Sequence, residues 1–502
     1  MDSDTIIIRR DGIALTAAGC YRALAARDAR FDGIFFTGVT TTGIYCRPVC
    51  GVKTPRASSC RFFGTAAAAE AAGFRPCLRC RPELAPYALQ QNLAHAVWQR
   101  IAAGALNDGD AERLAREVGL SSRQLRRVLL QHFGVTPVEL AQTQRLLFAK
   151  KLLQETRLSM SEVAYAAGFG SIRRFNALFL SRYRMAPTAV RRAAPGLHGL
   201  PDGRDIVLRL AYRPPFDWAS MLRYMVSGAI PGVEAIDMGN EGDEPAYARS
   251  VRLGETSGWM RVTQRAAKHQ LELSLSASLA PVLMPLLARA RLQFDLDAHP
   301  DVIAAHLSAD PLLARHVRRM LGWRVPGAFD AFELAVLAVL GQRRGMPAAA
   351  RLAAELVRRF GEPTAKPLPG VTHHFPLPAR LAQAGIADIT AIGVPPARAT
   401  AIRELAALAL RGGLDLRPGL GLQDAVARLR TVQGIGDDTA QYVALRAWRF
   451  PDAFPASDAG LRRAASEEAD GEPLTASRLA TRAAHWSPWR SYAALLLWQA
   501  AA

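Results

Sequence analysis

The order of apolar and polar positions divides the chain into segments of different texture. Between residues 90 and 192, apolar residues recur at helical spacing, and Gly119 and Gly168 each punctuate a helix pair. From Asp205 onward, apolar and polar residues alternate in IVLRLAYR, SVRLGE, GWMRVTQ and QLELSLSA, which predicts strands with one buried face. From about Leu286 to the end, long Ala-, Leu- and Arg-rich segments broken by Gly and Pro predict helices.

Changes in composition predict the domain boundaries. The Pro- and Gly-rich stretch AAPGLHGLPDG predicts a linker at residues 193–204, between a helical part and a strand-containing part. We therefore expect a multidomain α+β protein with units at residues 1–88, 89–192, 205–320 and 321–502.

Composition and charge narrow the partner class. The chain has 502 residues, of which 50% are hydrophobic, so packed cores are expected and a disordered chain is excluded. Residues 1–200 carry 28 Lys and Arg against 14 Asp and Glu, whereas the remainder carries 35 against 30. This asymmetry within a net charge of +19 indicates a nucleic acid partner for the N-terminal half. With neither a long apolar run nor a signal-peptide pattern, we expect a cytoplasmic protein without a membrane partner.

All six cysteines lie within the first 80 residues. Cys46 and Cys50 form one close pair, and Cys77 and Cys80 form a second. Two such pairs separated by a loop are typical of a tetrahedral four-thiolate site, so we expect one zinc ion with four cysteine ligands. Cys20 and Cys60 have no close partner and are expected to be ordinary small apolar residues.

The residues around these pairs, 35–50 and 71–82, closely resemble the zinc domain of Ada-type methyltransferases. The resemblance implies stoichiometric transfer of a methyl group from a DNA methyl phosphotriester to Cys46. Arg47 is then a candidate phosphate contact. A purely structural zinc ribbon is the alternative.

Two helix-turn-helix units joined by a helix between Glu139 and Leu153 resemble the AraC-type DNA-binding domain. The second unit carries the frame A-x-x-x-G-F-x-S-x-x-x-F-x-x-x-F between residues 164 and 179. The resemblance implies promoter DNA and RNA polymerase as partners, and a generic basic helical bundle is the alternative. Exposed residues early in each second helix are candidates for base contacts: Arg123, Gln124, Arg127, Arg173, Arg174 and Asn176.

Gly434 and Gly436 flank a tight turn before a predicted helix that contains Thr439. Glycines there allow close approach of the backbone, and the free N–H groups at the start of the helix favour phosphate. About twenty residues later comes Asp458. This spacing resembles the helix-hairpin-helix glycosylase superfamily, and residues 205–502 resemble AlkA-type 3-methyladenine DNA glycosylases. The resemblance implies an antiparallel sheet at 205–320, a helix-hairpin-helix domain at 321–502 and a monovalent cation at the hairpin.

The same resemblance assigns roles within the second half. Asp458 would be the catalytic carboxylate, with a simple helix N-cap as the alternative. Trp498 and Tyr442 would form the aromatic base pocket, where a cationic base is attracted by about 0.5–2 kcal/mol. Arg343 would stand at the wedge position, where relatives carry an apolar or Gln side chain.

Two departures from the family pattern affect the chemistry. Asp438 stands where AlkA-type enzymes commonly have a pocket Trp and where lyases carry a Schiff-base Lys, which implies a monofunctional hydrolytic mechanism. Gln433 replaces the usual hairpin Pro, and no cysteine follows Cys80, which excludes the iron–sulfur cluster of some relatives.

We therefore expect a monomeric alkylation-damage response protein that acts on double-stranded DNA. It would combine a DNA-3-methyladenine glycosylase II with a methylation-sensing transcriptional activator. The alternative is a methylation-responsive regulator with a weak or inactive glycosylase domain.

Overall fold

The computed structural model describes residues 6–10, 13–82, 93–107, 109–194, 205–239, 244–415, 421–466 and 473–500. The first unit is a small α+β module. A hairpin of β1 and β2 precedes the four-stranded sheet β5-β3-β4-β6. Its elements are β1 (Ile6–Arg10), β2 (Ile13–Thr16), α1 (Ala17–Ala25), β3 (Phe36–Val39), β4 (Ile44–Cys46), β5 (Cys60–Phe63), α2 (Ala66–Ala71) and β6 (Arg75–Pro76).

The second unit is helical, as the periodicity predicts. Side-chain caps start its helices: Ser121 with Gln124, Thr136 with Glu139, and Ser159 with Glu162 form reciprocal capping boxes. Its helices are α3 (Leu93–Ala102), α4 (Ala111–Glu117), α5 (Ser122–Phe133), α6 (Pro137–Glu155), α7 (Met160–Ala166), α8 (Ile172–Tyr183) and α9 (Pro187–Arg192).

The third unit is built on a five-stranded sheet of order β7-β11-β10-β9-β8, in which every neighbouring pair is antiparallel. Four strands coincide with the predicted alternating segments, and the short strand β8 is an addition. Its elements are β7 (Ile206–Ala211), α10 (Trp218–Val226), β8 (Glu234–Asp237), β9 (Ala246–Leu253), β10 (Thr256–Arg265), β11 (Gln270–Leu275) and α11 (Leu283–Gln293).

The last unit is mainly helical. It begins before the expected residue 321, because Leu307 and Leu313 belong to the same buried cluster as Leu337 and Leu356. It also contains one antiparallel hairpin where helices are expected. Pro363 and Pro367 disfavour a helix there, and Gly370 supplies a turn with φ of 75°. Its elements are α12 (Pro300–Leu307), α13 (Pro311–Arg319), α14 (Ala331–Gly341), α15 (Met346–Phe360), β12 (Glu362–Leu368), β13 (Val371–His374), α16 (Pro378–Gln383), α17 (Ile386–Thr390), α18 (Pro396–Leu410), α19 (Leu422–Leu429), α20 (Asp437–Arg446), α21 (Ala459–Ala464), α22 (Ala476–Ala483) and α23 (Arg490–Ala500).

The apolar core does not stop at the expected linker. Phe175 and Phe179 of α8 belong to the same buried cluster as Leu208 of β7 and Leu273 of β11. The second helix-turn-helix unit and the sheet therefore share one apolar core. No helix among the described residues is both long and apolar enough to cross a membrane.

Polar contacts also tie the first unit to the rest. Glu155, at the end of α6, accepts a hydrogen bond from Arg81 at 2.5 Å and one from the backbone N of Arg209 in β7 at 2.9 Å. Buried Arg213 donates to the backbone O of Asp32 at 3.0 Å and to that of Asp297 at 2.8 Å. These contacts join the cysteine unit to both the helical unit and the sheet unit.

Candidate functional sites

The four paired cysteines converge at one end of the first sheet. Cys46 ends β4, and the parallel pairing of β6 with β4 brings Cys77 alongside, with its backbone N donating to the O of Tyr45 at 3.0 Å. The ligand sulfurs of Cys46, Cys50, Cys77 and Cys80 all lie within 4.8 Å of one another. A zinc ion with bonds of about 2.3 Å needs sulfurs about 3.8 Å apart, so the cluster fits one tetrahedral zinc.

The thiols of this cluster compete for protons. Because Cys46 and Cys50 hydrogen-bond each other, the pKa of Cys50 is lowered whereas the pKa of Cys46 is raised. Four thiolates held this close require a cation to balance their charge. Cys20 and Cys60 lie outside the cluster, as expected, and burial raises the pKa of the Cys20 thiol to about 12.

The structure departs from the expectation that Arg47 contacts DNA phosphate. Its side chain is buried, and its guanidinium forms an ion pair with buried Asp32, with Nε donating to Oδ1 at 2.8 Å. The guanidinium also donates to the backbone O of Cys80 at 3.2 Å. Arg47 therefore supports the cysteine loops instead of facing solvent.

Both predicted base-reading helices present their polar residues to solvent. Leu125 and Leu129 of α5, and Phe175 and Phe179 of α8, are fully buried at matching positions. The positions before and between these buried residues follow the same order of exposure in both helices. The expected contacts are all exposed: Arg123, Gln124 and Arg127 in α5, and Arg173, Arg174 and Asn176 in α8. The amide oxygen of Gln124 is already engaged, since it accepts from the backbone N of Ser121 at 2.9 Å.

Asp458 lies in a cleft of about 910 Å³ with Tyr442 and Trp498. Its Oδ1 accepts from the indole N–H of Trp498 at 2.8 Å and from the backbone N of Leu461 at 2.9 Å, so Asp458 also caps α21. No described residue donates a hydrogen bond to Oδ2, which leaves this oxygen for a bound molecule. The Tyr442 and Trp498 rings meet edge to face, 6.0 Å apart.

The glycine turn borders the same cleft. Gly434 adopts a φ of 91°, a conformation that favours glycine, and Gly436 is the N-cap residue of α20. A Cβ at Gly436 would meet nothing within 4 Å, so a ligand can reach this backbone. Gln342 braces the turn because its amide donates to the backbone O of Gly434 at 2.9 Å and to the hydroxyl of Thr439 at 3.2 Å.

Arg343 is exposed at the mouth of the cleft. It follows α14 directly and adopts a positive φ of 59°. Arg398 holds this bend, since its guanidinium donates to the backbone O of Gln342 and of Leu340. The bend directs the chain away from α14 before α15 begins.

The sequence did not point to the buried Arg446 beneath the cleft. Its guanidinium donates to the hydroxyl of Tyr442 at 2.8 Å and to that of Tyr224 at 3.1 Å. Tyr224 lies 222 positions earlier in the chain, in α10, so no local pattern could have indicated this support.

These features define a helix-hairpin-helix glycosylase fold joined to a four-cysteine zinc site and paired helix-turn-helix units. Three family models match the chain: the metal binding domain of Ada at residues 19–83, a helix-turn-helix domain at 114–193 and the AlkA N-terminal domain at 207–330.

Similar proteins cover nearly the whole chain. A probable bifunctional transcriptional activator/DNA repair enzyme AlkA of Mycobacterium tuberculosis is 39% identical over 485 residues, which is 95% of each chain. The DNA-3-methyladenine glycosylase 2 of Escherichia coli is 35% identical over 291 residues, covering 58% of this chain and 95% of its own.

Among solved structures, a 3-methyladenine DNA glycosylase from Archaeoglobus fulgidus shares the fold. Its TM-score is 0.51 at 20% identity, over 58% of this chain and 97% of its own. The chain belongs to the family of bifunctional transcriptional activator/DNA repair enzymes AlkA.

Proposed function

We propose that the second half is a monofunctional DNA-3-methyladenine glycosylase. The observation that carries this proposal is the position of Asp458, held by Trp498 and by the start of α21 in a cleft that also contains Tyr442. Such an enzyme extrudes the damaged nucleotide from the duplex, and the aromatic cleft receives the base. Gly434, Gly436 and Thr439 would hold the backbone phosphate, with a monovalent cation at the hairpin carbonyls, and Arg343 would fill the gap in the duplex.

The chemistry needs one carboxylate. An alkylated purine carries positive charge and leaves readily once the N-glycosidic bond lengthens. The free Oδ2 of Asp458 would stabilise the positive charge that develops on the sugar and would orient the attacking water. Trp498 keeps Oδ1 engaged, so the carboxylate presents a single oxygen to the cleft.

The test is base release from alkylated duplex DNA by wild type, by Asp458→Asn and by a control, Asp388→Asn. Asp388 is half-exposed and pairs with Arg359 outside the cleft. We expect release by wild type and by the control, and loss of release in Asp458→Asn. Absence of release by the wild type would leave the first half as a regulator joined to an inactive glycosylase domain.

We further propose that the first half senses methylation. The Cys46 sulfur attacks the methyl carbon of a DNA phosphotriester, so a C–S bond forms while the C–O bond breaks and the phosphodiester keeps the electron pair. Zinc, when bound, holds the sulfur as a thiolate at neutral pH. Methylation removes one negative charge from the cluster, which reduces its repulsion of the DNA backbone and favours promoter binding by α5 and α8.

Contacts between the cysteine unit and α6 support this coupling. The buried ammonium of Lys150 donates to the backbone O of Cys77 at 2.9 Å. Buried Glu70 accepts from the hydroxyl of Tyr45, next to Cys46, and from that of Thr143, each at 3.0 Å. Because α6 connects the two helix-turn-helix units, a change at the cluster reaches both of them.

The test is peptide mass spectrometry after exposure to methylated DNA, with Cys46→Ala and Cys60→Ala compared. We expect the methyl group on Cys46 in the wild type and in Cys60→Ala. Its absence from Cys46 would make the cluster a structural zinc ribbon. Promoter affinity before and after methylation then measures the switch.

A further inference from the structure

Asp438 places a second carboxylate beside Asp458. It lies in the first turn of α20, half-buried, and its Oδ1 accepts from the backbone N of Ser457 at 3.2 Å. Ser457 directly precedes Asp458, so this bond ties the two acidic residues to the same wall of the cleft. Both line the cleft together with Tyr442 and Trp498.

The other charged groups deeper in the cleft largely neutralise one another. Arg249 pairs with Glu333 at 2.7 Å and lies 3.8 Å from Glu234. Arg446 is enclosed by the hydroxyls of Tyr224 and Tyr442.

Two acidic residues at the edge of the cleft lie next to arginines that are outside the cleft. Asp330 pairs with Arg289 at 3.0 Å, and exposed Asp437 approaches Arg430 at 3.8 Å. Arg343 lies at the mouth. Among the residues that the structure describes, neither Asp438 nor Asp458 forms an ion pair, so both are carboxylates without a cationic partner at the aromatic end of the cleft.

We propose that Asp438 is a specificity-determining residue that makes this cleft prefer cationic N-alkylated bases over neutral lesion bases. The inference rests on the glycosylase function proposed above and adds to it the charge of the preferred base. When a cationic base fills the cleft, it displaces water from both carboxylates, and its positive charge compensates for that lost solvation. A neutral base excludes the same water and leaves Asp438 without a counter-charge.

The partial burial of Asp438 strengthens the preference for a cationic base. Desolvation raises the pKa of Asp438 above its ordinary value, and Asp458 adds a smaller contribution in the same direction. A charged Asp438 carboxylate is therefore costly beside an uncharged base. A charge pair a few ångströms apart in such a partly buried site changes a binding or rate constant by at least about tenfold.

The experiment compares single-turnover release from two duplexes, one containing cationic 7-methylguanine and one containing neutral hypoxanthine. Saturating enzyme removes differences in DNA affinity, so the ratio of the two rate constants reports selectivity within the cleft. The variants are Asp438→Asn, which keeps the amide oxygen that accepts from Ser457, and Asp438→Glu, which keeps the charge. Asp437→Asn is the matched control because it removes the same charge one residue away, on the exposed side.

We expect Asp438→Asn to lower the cation-to-neutral ratio at least tenfold, and Asp438→Glu and Asp437→Asn to keep it within about threefold of wild type. An unchanged or higher ratio in Asp438→Asn would overturn the inference. So would selective loss of hypoxanthine release, because that result would make Asp438 a proton donor to neutral bases. If the wild type releases no base even from alkylated duplex DNA, the glycosylase proposal fails and the inference with it, a result distinct from an unchanged ratio.

Discussion

The hydrogen bond from Trp498 to Asp458 is the contact in the cleft for which the effect of removal on base release can be predicted most closely. Trp498→Phe keeps an aromatic ring but removes the indole N–H that lies 2.8 Å from Oδ1. Oδ1 then retains one donor, the backbone N of Leu461 at 2.9 Å. A hydrogen bond to a charged group contributes about 1.5–3 kcal/mol. At 1.36 kcal/mol per tenfold, the rate constant for base release should fall about 10- to 160-fold.

The assay is single-turnover release from alkylated duplex DNA, with DNA affinity measured separately. We expect the rate constant to fall and the affinity to remain near that of wild type, because Trp498 orients the carboxylate and does not contact phosphate. Trp489→Phe is the matched control, since Trp489 packs edge to face on Tyr492 outside the cleft. A rate constant for Trp498→Phe within twofold of wild type would refute the argument that this bond positions Asp458.

Three further predictions concern stability and DNA binding. Arg47→Ala leaves Asp32 buried without its partner and should lower the unfolding free energy by about 3–5 kcal/mol in denaturant titrations. Unchanged stability with weaker DNA binding would instead make Arg47 a phosphate contact. Burial raises the pKa of Glu70 to about 7, so Glu70 contributes stability below its unfolded pKa of about 4.5 and loses it as pH rises through 7. Glu70→Gln should remove about 3 kcal/mol of this pH dependence. Parallel curves of unfolding free energy against pH for the wild type and the variant would contradict this prediction. Gly434→Ala should lower both the melting temperature and DNA affinity, because Gly434 has a φ of 91°. Gly436→Ala should lower DNA affinity alone, because a Cβ there meets open space. Equal melting temperatures of the two variants would argue against strain at Gly434.

Glu70 and Lys150 also show how the cysteine unit is built into the rest of the protein. Both are buried where this unit meets α6, and each links a residue next to the cluster, or one of its ligands, with that helix. Buried polar groups with their partners in place favour one arrangement of the two surfaces over others. The methylation proposed for Cys46 would therefore occur beside a packed interface instead of on a freely tethered module.

Local signals in the sequence predicted much of this structure correctly. The two cysteine pairs predicted the cluster because short spacings let each pair bind from one turn of chain. The helix starts follow from capping residues such as Ser121 and Ser159, whose partners lie three positions away. The alternation of apolar residues predicted four strands of the sheet, since the side-chain period of two depends only on neighbouring positions.

Other features depended on packing between distant segments. Arg47 carries a positive charge in a basic region, but only the tertiary structure places it against Asp32. The hairpin of β12 and β13 was missed because the surrounding Ala- and Leu-rich segments dominate the helical pattern. Likewise, the glycine turn and Asp458 were visible as motifs, whereas the support of Tyr442 by Arg446 and Tyr224 was not.

The sequence by itself therefore determined the ligand set for zinc, the helix-turn-helix frames, the glycine turn and the candidate carboxylate. All of these are encoded by residues within a few turns of one another. Only the tertiary structure decided that Trp498 and Leu461 hold one oxygen of Asp458, that Asp438 faces the same cleft, and that the second helix-turn-helix unit shares its core with the sheet. The physical reason is that burial and hydrogen bonding are properties of the packed chain, which brings residues far apart in sequence into one low-dielectric environment.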